Sequence, residues 1–249
     1  MALTLGKLII PEKCLVCGDV TLLGVPVCKD CVGDFCALFN DKCPVCKRSR
    51  RECGCGKGDF VKSGRFLFYY YTPTSKAVIS SIKHKLDRNN ADFIAELIYR
   101  AQKDGKKFDC IVYPPRTKKN IKKYGFDQAR EISAALASKF GIRAVDALSR
   151  KRKMREQKLL SATQRRKNVM GMFEADREKL AGCGRVLLFD DVYTTGATVK
   201  ACEAALRKAG VREVIAVTVA FTPGTKRLKA ARAFMGTVDS RIYKFSRKR

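Results

Sequence analysis

"VLLFDDVYTTGAT", Val186 to Thr198, places four apolar residues before two adjacent aspartates, then a hydroxyl-rich turn interrupted by one glycine. A short apolar run bounded by turn residues reads as a strand buried on both faces, the kind found in parallel sheets. The predicted strand runs from Arg185 to Phe189, so Asp190 and Asp191 fall where it opens into its loop. Thr198 to Ala209 then has helical spacing and stops at Gly210.

The same alternation extends in both directions. Arg65 to Tyr71 and Asp109 to Tyr113 read as strands, the second stopped by Pro114 and Pro115; Val214 to Phe221 is a further strand rich in β-branched residues. Ser75 to Lys85, Ala91 to Lys103 and Asp127 to Phe140 read as helices, with Asp127 at an N-cap position. Strands alternating with helices imply crossover connections, hence an α/β fold with a mainly parallel sheet flanked by helices. Ligands of such sheets lie beyond the carboxyl ends of the strands, which singles out the loops after Tyr113 and after Phe189.

Paired carboxylates at a strand end suit the vicinal hydroxyls of a ribose, or a Mg2+ ion shared with a phosphate. Behind them, the turn from Tyr193 to Thr198 leads into a helix whose first N–H groups and positive dipole end favour an anion. Gly196 permits close approach, Ala197 belongs to the same anion-binding turn, and Thr194, Thr195 and Thr198 add hydroxyls. Acids for a sugar beside amides for a phosphate describe a ribose 5-phosphate. A nucleotide-binding P-loop is excluded, because no Gly-Lys-Ser/Thr occurs.

Nine of the 12 cysteines lie between Cys14 and Cys55, mostly as close pairs: Cys14/Cys17, Cys28/Cys31, Cys43/Cys46 and Cys53/Cys55. No secretion leader precedes them, so the pattern reads as metal ligation rather than disulfides. Two pairs supply the four thiolates of a structural zinc site, and two sites are predicted; sequential and interleaved pairings both satisfy the count. The predicted organisation is a cysteine module over residues 1–60, an α/β domain over 61–223 and a basic tail over 224–249. No stretch reaches the roughly 18 apolar residues of a membrane span, and the expectation is a cytoplasmic protein without membrane insertion.

The formal net charge of +28 calls for anionic partners. Residues 1–60 carry nine Lys/Arg against seven Asp/Glu, so the excess belongs to the rest of the chain. Two fully thiolate zinc sites would make the head slightly acidic, about −2, and it is an unfavourable nucleic-acid clamp. Arg150 to Lys167 has nine Lys/Arg against Glu156, and residues 222–249 have nine against Asp239. That excess is more than one diphosphate engages, and it suits single- or double-stranded DNA, with Phe234, Tyr243 and Phe245 available for stacking.

The acidic pair and Thr-Thr-Gly-Ala-Thr turn resemble the phosphoribosyl-pyrophosphate (PRPP) motif of type I phosphoribosyltransferases. The resemblance extends to the ComF family of competence-associated proteins, through the cysteine head, the helix end near Lys83, the segment Tyr124-Gly125-Phe126-Asp127-Gln128-Ala129, and Gln157, Leu160, Ser161, Arg165 and Asn168. Tyr124 stands where the family pattern has arginine, and Asp127 where it has asparagine. The resemblance implies a transferase that binds PRPP with Mg2+ and passes phosphoribosyl to an unidentified acceptor, in connection with DNA uptake and competence-machinery proteins. A PRPP-sensing or nucleic-acid-binding accessory protein is the other function it allows. It implies roles for Asp190 and Asp191 on the ribose and for Thr194 to Thr198 on the 5-phosphate. Arg116, with Pro115, Lys118 and Lys119 of the same loop, would meet the diphosphate, and Gln157 to Phe173 would cover the acceptor.

Overall fold

The computed structural model describes residues 12–40, 42–44, 46–49, 52–53, 65–102, 107–151 and 171–222. Five strands form one parallel sheet in the order β1-β7-β6-β2-β3: β1 (Phe66–Tyr69), β2 (Cys110–Val112), β3 (Arg143–Val145), β6 (Arg185–Tyr193) and β7 (Glu213–Phe221). A short antiparallel pair, β4 (Leu148–Arg150) and β5 (Phe173–Ala175), stands apart. Strand order reverses between β2 and β6: from β2 the chain steps outward to β3, and from β6 it steps the other way to β7. A crevice opens at such a point, beyond the carboxyl ends of the two strands.

The helices are α1 (Val32–Ala37), α2 (Pro73–Lys85), α3 (Arg88–Ala101), α4 (Lys118–Tyr124), α5 (Gln128–Phe140) and α6 (Ala197–Lys208). Their starts follow local chemistry. Thr72 accepts a hydrogen bond from the Ser75 amide, with Pro73 in the first turn of α2; Asp87 accepts one from Asn90. Asp127 accepts from the amides of Ala129 and Arg130. Asparagine caps helices as well as aspartate does, so the departure from the family pattern at Asp127 keeps the cap. The helix predicted from Ala91 begins earlier, at Arg88, because Asp87 claims the amide of Asn90 and draws the first turn upstream.

Helices α2, α3 and α5 cover one face, around Leu67, Ile111, Leu187, Phe189 and Val217. Helix α6 and the β4–β5 pair cover the other, around Val186, Leu188, Leu206 and Phe173. The cysteine head enters both cores: Leu15, Phe35 and Leu38 pack into the first, Cys43 and Cys53 into the second. The side-chain amide of Asn90 on α3 also donates to the Lys13 carbonyl at 3.0 Å.

Strand β6 is longer than its apolar run predicts. It continues through both aspartates to Tyr193, because β7 pairs with it to the end, Asp190 opposite Thr218 and Tyr193 opposite Phe221. Alternation is reset on the way. Leu187 and Phe189 face the first core and Leu188 the second, yet Val192 returns to the first and Tyr193 to the second. Strands β7 (Val219 and Ala220 together) and β1 (Leu67 and Phe68 together) share this reset. A phase shift common to three neighbouring strands, beside Asp190 and Asp191, lets the ladder continue while reorienting side chains at its carboxyl end.

Candidate functional site

A cavity of about 300 Å³ occupies the crevice between the ends of β2 and β6. Asp190, Asp191, Thr194 and Thr198 form its β6 side, and Pro114 to Thr117 its β2 side. The two loops named from sequence therefore face each other across one space. Lys83, Gln128 and Arg150 complete the polar wall.

The adjacent carboxylates have different surroundings. Asp191 pairs with Lys83 at 3.3 Å, the lysine reaching in from the last turn of α2. Asp190 Oδ1 accepts from the Asp191 amide at 2.9 Å. Burial, and then the negative charge of Asp191, push the Asp190 carboxyl up to about 7. Its nearest opposing charges are Lys83 and Arg150.

The turn behind them is tightly built. Gly196 caps α6 in the left-handed region at φ 73°, and a Cβ placed there would run into the ring and hydroxyl of Tyr193. Thr195 Oγ1 accepts from the Ala197 amide at 3.2 Å, while no side chain caps the helix from Gly196 itself. Ala197 is half-buried, and the exposed Thr194 and half-buried Thr198 line the cavity. The first turn of α6 thus presents backbone donors to the space that the carboxylates border.

On the opposite wall, Arg150 Nε donates to the Pro115 carbonyl at 3.1 Å and its guanidinium lies over Phe173, centroid distance 5.0 Å, which braces the loop. The Arg116 guanidinium lies 5.4 Å from the ring centroid of Tyr124, with Lys123 at 4.9 Å from the same ring and the His84 ring tilted against it at 4.7 Å between centroids. Tyr124, the departure from the family pattern, thereby serves as a platform for cations. Burial lowers the pKa of Arg116, against the pull of Asp127 and Asp191. Helix α4 starts at Lys118, but the side chains of Lys118 and Lys119 lie outside the described residues, as do Gln157 to Asn168 and the basic tail.

A family model described as the phosphoribosyl transferase domain matches residues 121–246, about half of the chain. The chain belongs to this family. It is 24% identical over 220 residues to competence protein ComFC of Streptococcus pneumoniae (strain ATCC BAA-255 / R6), covering 81% of this chain and 96% of the relative. It is thus a ComF-like member of the phosphoribosyl transferase domain family. Among solved structures, it is similar to an allosteric regulatory enzyme of purine biosynthesis, at 22% identity over 57% of this chain and 26% of that one, TM-score 0.37. It is also similar to the adenine phosphoribosyltransferase of Thermoanaerobacter pseudethanolicus, at 18% identity over 54% of this chain and 82% of that one, TM-score 0.37.

The sequence alone assigns no site role to Lys83, Gln128 or Arg150. Lys83 ends an amphipathic helix, where a basic residue complements the dipole without any ligand. Gln128 belongs to the quoted Asp127-Gln128-Ala129 segment, whose cap drew attention to the residue before it. Arg150 was counted as one charge in a basic run.

In the head of the ComF-like chain, the sulfurs of Cys14, Cys17, Cys28 and Cys31 lie within 4.8 Å of one another, and so do those of Cys43, Cys46 and Cys53. This is the sequential grouping; Cys55 lies outside the described residues. Tetrahedral zinc with Zn–S bonds of about 2.3 Å requires S···S edges of about 3.8 Å. Cys17 to Cys28 measures 3.8 Å and Cys46 to Cys53 measures 3.7 Å. The amides of Val16 and Cys28 both donate to Cys14 Sγ at 3.4 Å. Although burial opposes it, these backbone donors lower the Cys14 thiol to about 7, while burial raises Cys31 to about 11. The donor set fits zinc.

The head also contains a duplication that pair spacing alone did not reveal. Lys13 bridges Val20 and Lys42 bridges Ser49, both antiparallel. The Gly18 amide donates to the Cys14 carbonyl, as the Lys47 amide does to Cys43, with φ 79° and 62°. Cys14/Cys17 and Cys43/Cys46 sit in equivalent turns, in the sequences Lys-Cys-Leu-Val-Cys-Gly and Lys-Cys-Pro-Val-Cys-Lys.

Proposed function

We propose that this ComF-like protein binds PRPP with Mg2+ in the crevice between β2 and β6 and transfers its phosphoribosyl group to an acceptor with loss of pyrophosphate. One observation carries the reading: an acidic pair, a helix start with no side chain at its cap, and a half-buried arginine border a single cavity. Asp190 and Asp191 would hold the ribose hydroxyls, the turn from Thr194 to Thr198 the 5-phosphate, and Arg116 with Pro115 and Lys118 the diphosphate. Mg2+, when bound, would neutralise charge on the leaving diphosphate. The protein's own contribution is positional and electrostatic: it fixes the sugar against the leaving group and stabilises charge that grows there. No general base is required of His84, whose Nδ1 shares a hydrogen bond with Ser80 Oγ at 3.3 Å and whose ring packs against Tyr124. Eight cysteines, Cys14 to Cys55, would hold two structural zinc ions and leave no open coordination position for chemistry. Its likeness to ComFC supports a use in competence, in a cytoplasmic protein whose basic runs, Arg150 to Lys167 and residues 222–249, would meet incoming DNA.

Calorimetry with PRPP and Mg2+ tests the site. Wild type should bind, and the double variant Asp190→Asn/Asp191→Asn should lose at least about tenfold, the loss of charge-assisted contacts worth more than about 1.4 kcal/mol. Equal binding by both proteins would remove the acidic pair from the site. Pyrophosphate release on adding candidate acceptors then separates a transferase from a PRPP sensor.

A further inference from the structure

Two residues that line the same cavity each carry a buried polar atom without a hydrogen-bond partner among the described residues, the amide oxygen Oε1 of Gln128 and the guanidinium nitrogen Nη1 of Arg116. Gln128 is 5% exposed and opens α5. Its neighbour Asp127 is already committed to the amides of Ala129 and Arg130. A buried acceptor left unmade costs about 1–3 kcal/mol, and so does a buried donor. The wall therefore carries one unmet acceptor and one unmet donor together.

A bare diphosphate satisfies only half of this. Its oxygens accept, which suits Arg116 Nη1, but they give nothing to Gln128 Oε1. A divalent cation on the diphosphate changes the match, because Mg2+ keeps several of its waters and each polarised water donates strongly. The position of Gln128 agrees with this. It opens the helix that follows the Pro114 to Thr117 loop and the short α4 in the chain, and it lines the cavity together with that loop and with the acids that would take the sugar.

We propose that Gln128 is a positioning residue for the hydrated divalent cation of the diphosphate, its Oε1 accepting from a cation-bound water while Arg116 Nη1 donates to a diphosphate oxygen. This rests on the reading of the cavity as a phosphoribosyl pyrophosphate site. It adds a distinct assignment: the β2 wall recognises the metal complex, not only the anion. Sequence alone does not mark Gln128, since an amide at the start of a helix also serves as a packed residue.

The test is calorimetric titration of inorganic pyrophosphate, with and without Mg2+, into wild type, Gln128→Met and Gln128→Glu, with circular dichroism to check that each is folded. In wild type, Mg2+ should tighten pyrophosphate binding. In Gln128→Met that gain should shrink about tenfold, the usual scale for losing a group that orients a metal's shell, while metal-free binding stays within about twofold. Gln128→Glu should keep the Mg2+ gain or enlarge it, since a carboxylate accepts from the same water, yet weaken metal-free binding by repelling the anion. Equal losses with and without Mg2+, no loss in either, or no binding of pyrophosphate by wild type would each overturn the proposal. A parallel titration with ribose 5-phosphate separates the alternatives. If Gln128→Met impairs it, the donor to Oε1 is a sugar hydroxyl and the metal assignment fails. If pyrophosphate behaves as expected but PRPP does not bind, the proposed function fails and the role of Gln128 on a metal diphosphate stands.

Discussion

The cysteine head and the cavity between β2 and β6 solve the problem of gathering functional side chains in opposite ways. In the head, each knuckle is local: Cys14 and Cys17, or Cys43 and Cys46, are held by amides a few residues away, and only the closing of one pair on another needs a longer step. In the cavity, the runs from Asp190 to Thr198 and from Pro114 to Thr117 are local, but the rest is not. Lys83, Arg116, Gln128 and Arg150 come from α2, the β2 loop, α5 and β4, and meet only after the parallel strands have paired. Local geometry held by strong bonds makes a rigid anchor, whereas a site assembled from distant elements can adjust to a ligand at low cost.

Metal removal is the most severe way to break this contrast, because the head supplies Leu15, Phe35 and Leu38 to one core and Cys43 and Cys53 to the other. Chelation should release about two zinc ions per chain, by the four-ligand count, and lower the Tm by at least about 10 °C, as expected when a metal worth several kcal/mol leaves. Dye-based metal release measured alongside a thermal melt checks both. An unchanged Tm would show that the body does not lean on the head. Next in size is Gly196→Ala. The left-handed φ and the Tyr193 ring leave no room for a methyl group, so destabilisation of about 1–3 kcal/mol in urea is expected, together with weakened PRPP binding.

The same contrast explains what was legible in the sequence. The pair spacing of the head and the apolar run before Asp190 are local signals, and they led to the cysteine clusters, the parallel sheet and the two facing loops. The length of β6 was not legible, since Asp190 to Tyr193 become strand only because Thr218 to Phe221 lie alongside. Nor could Lys83 be read as a neighbour of Asp191, because their contact depends on where the last turn of α2 packs. The knuckle duplication was present in the letters, but the differing residues at Gly18 and Lys47 hid a shared positive φ.

Asp190 gives a subtler test, through pH. Its folded pKa, about 7, lies above the ordinary aspartate value of 3.8, so the folded state favours the neutral acid. The stability it contributes is complete below about pH 3.8 and is lost as pH rises through about 7. Asp190→Asn, neutral throughout, should match wild type at the acidic end and become progressively more stable than it between those limits, with a constant difference above pH 8. Thermal melts of both proteins across this range measure the difference. A difference that does not vary with pH would mean that the carboxylate is not buried at its site.

The smallest expected effect is that of Lys83→Gln. The ion pair with Asp191 spans 3.3 Å, but the lysine is 38% exposed, and such pairs contribute at most about 1 kcal/mol. The melting temperature should therefore move by no more than about 3 °C. Its consequence should appear instead in the neighbouring acid. The Lys83 charge lowers the pKa of Asp190, opposing burial and Asp191, so removing it should carry the Asp190 titration upward from about 7. Melts of Lys83→Gln and of Lys83→Gln/Asp190→Asn, compared across pH, would show the window of their difference displaced to higher pH. An undisplaced window would place Lys83 too far from Asp190 to couple with it, and the cavity would then be two independent carboxylate sites rather than one electrostatic unit.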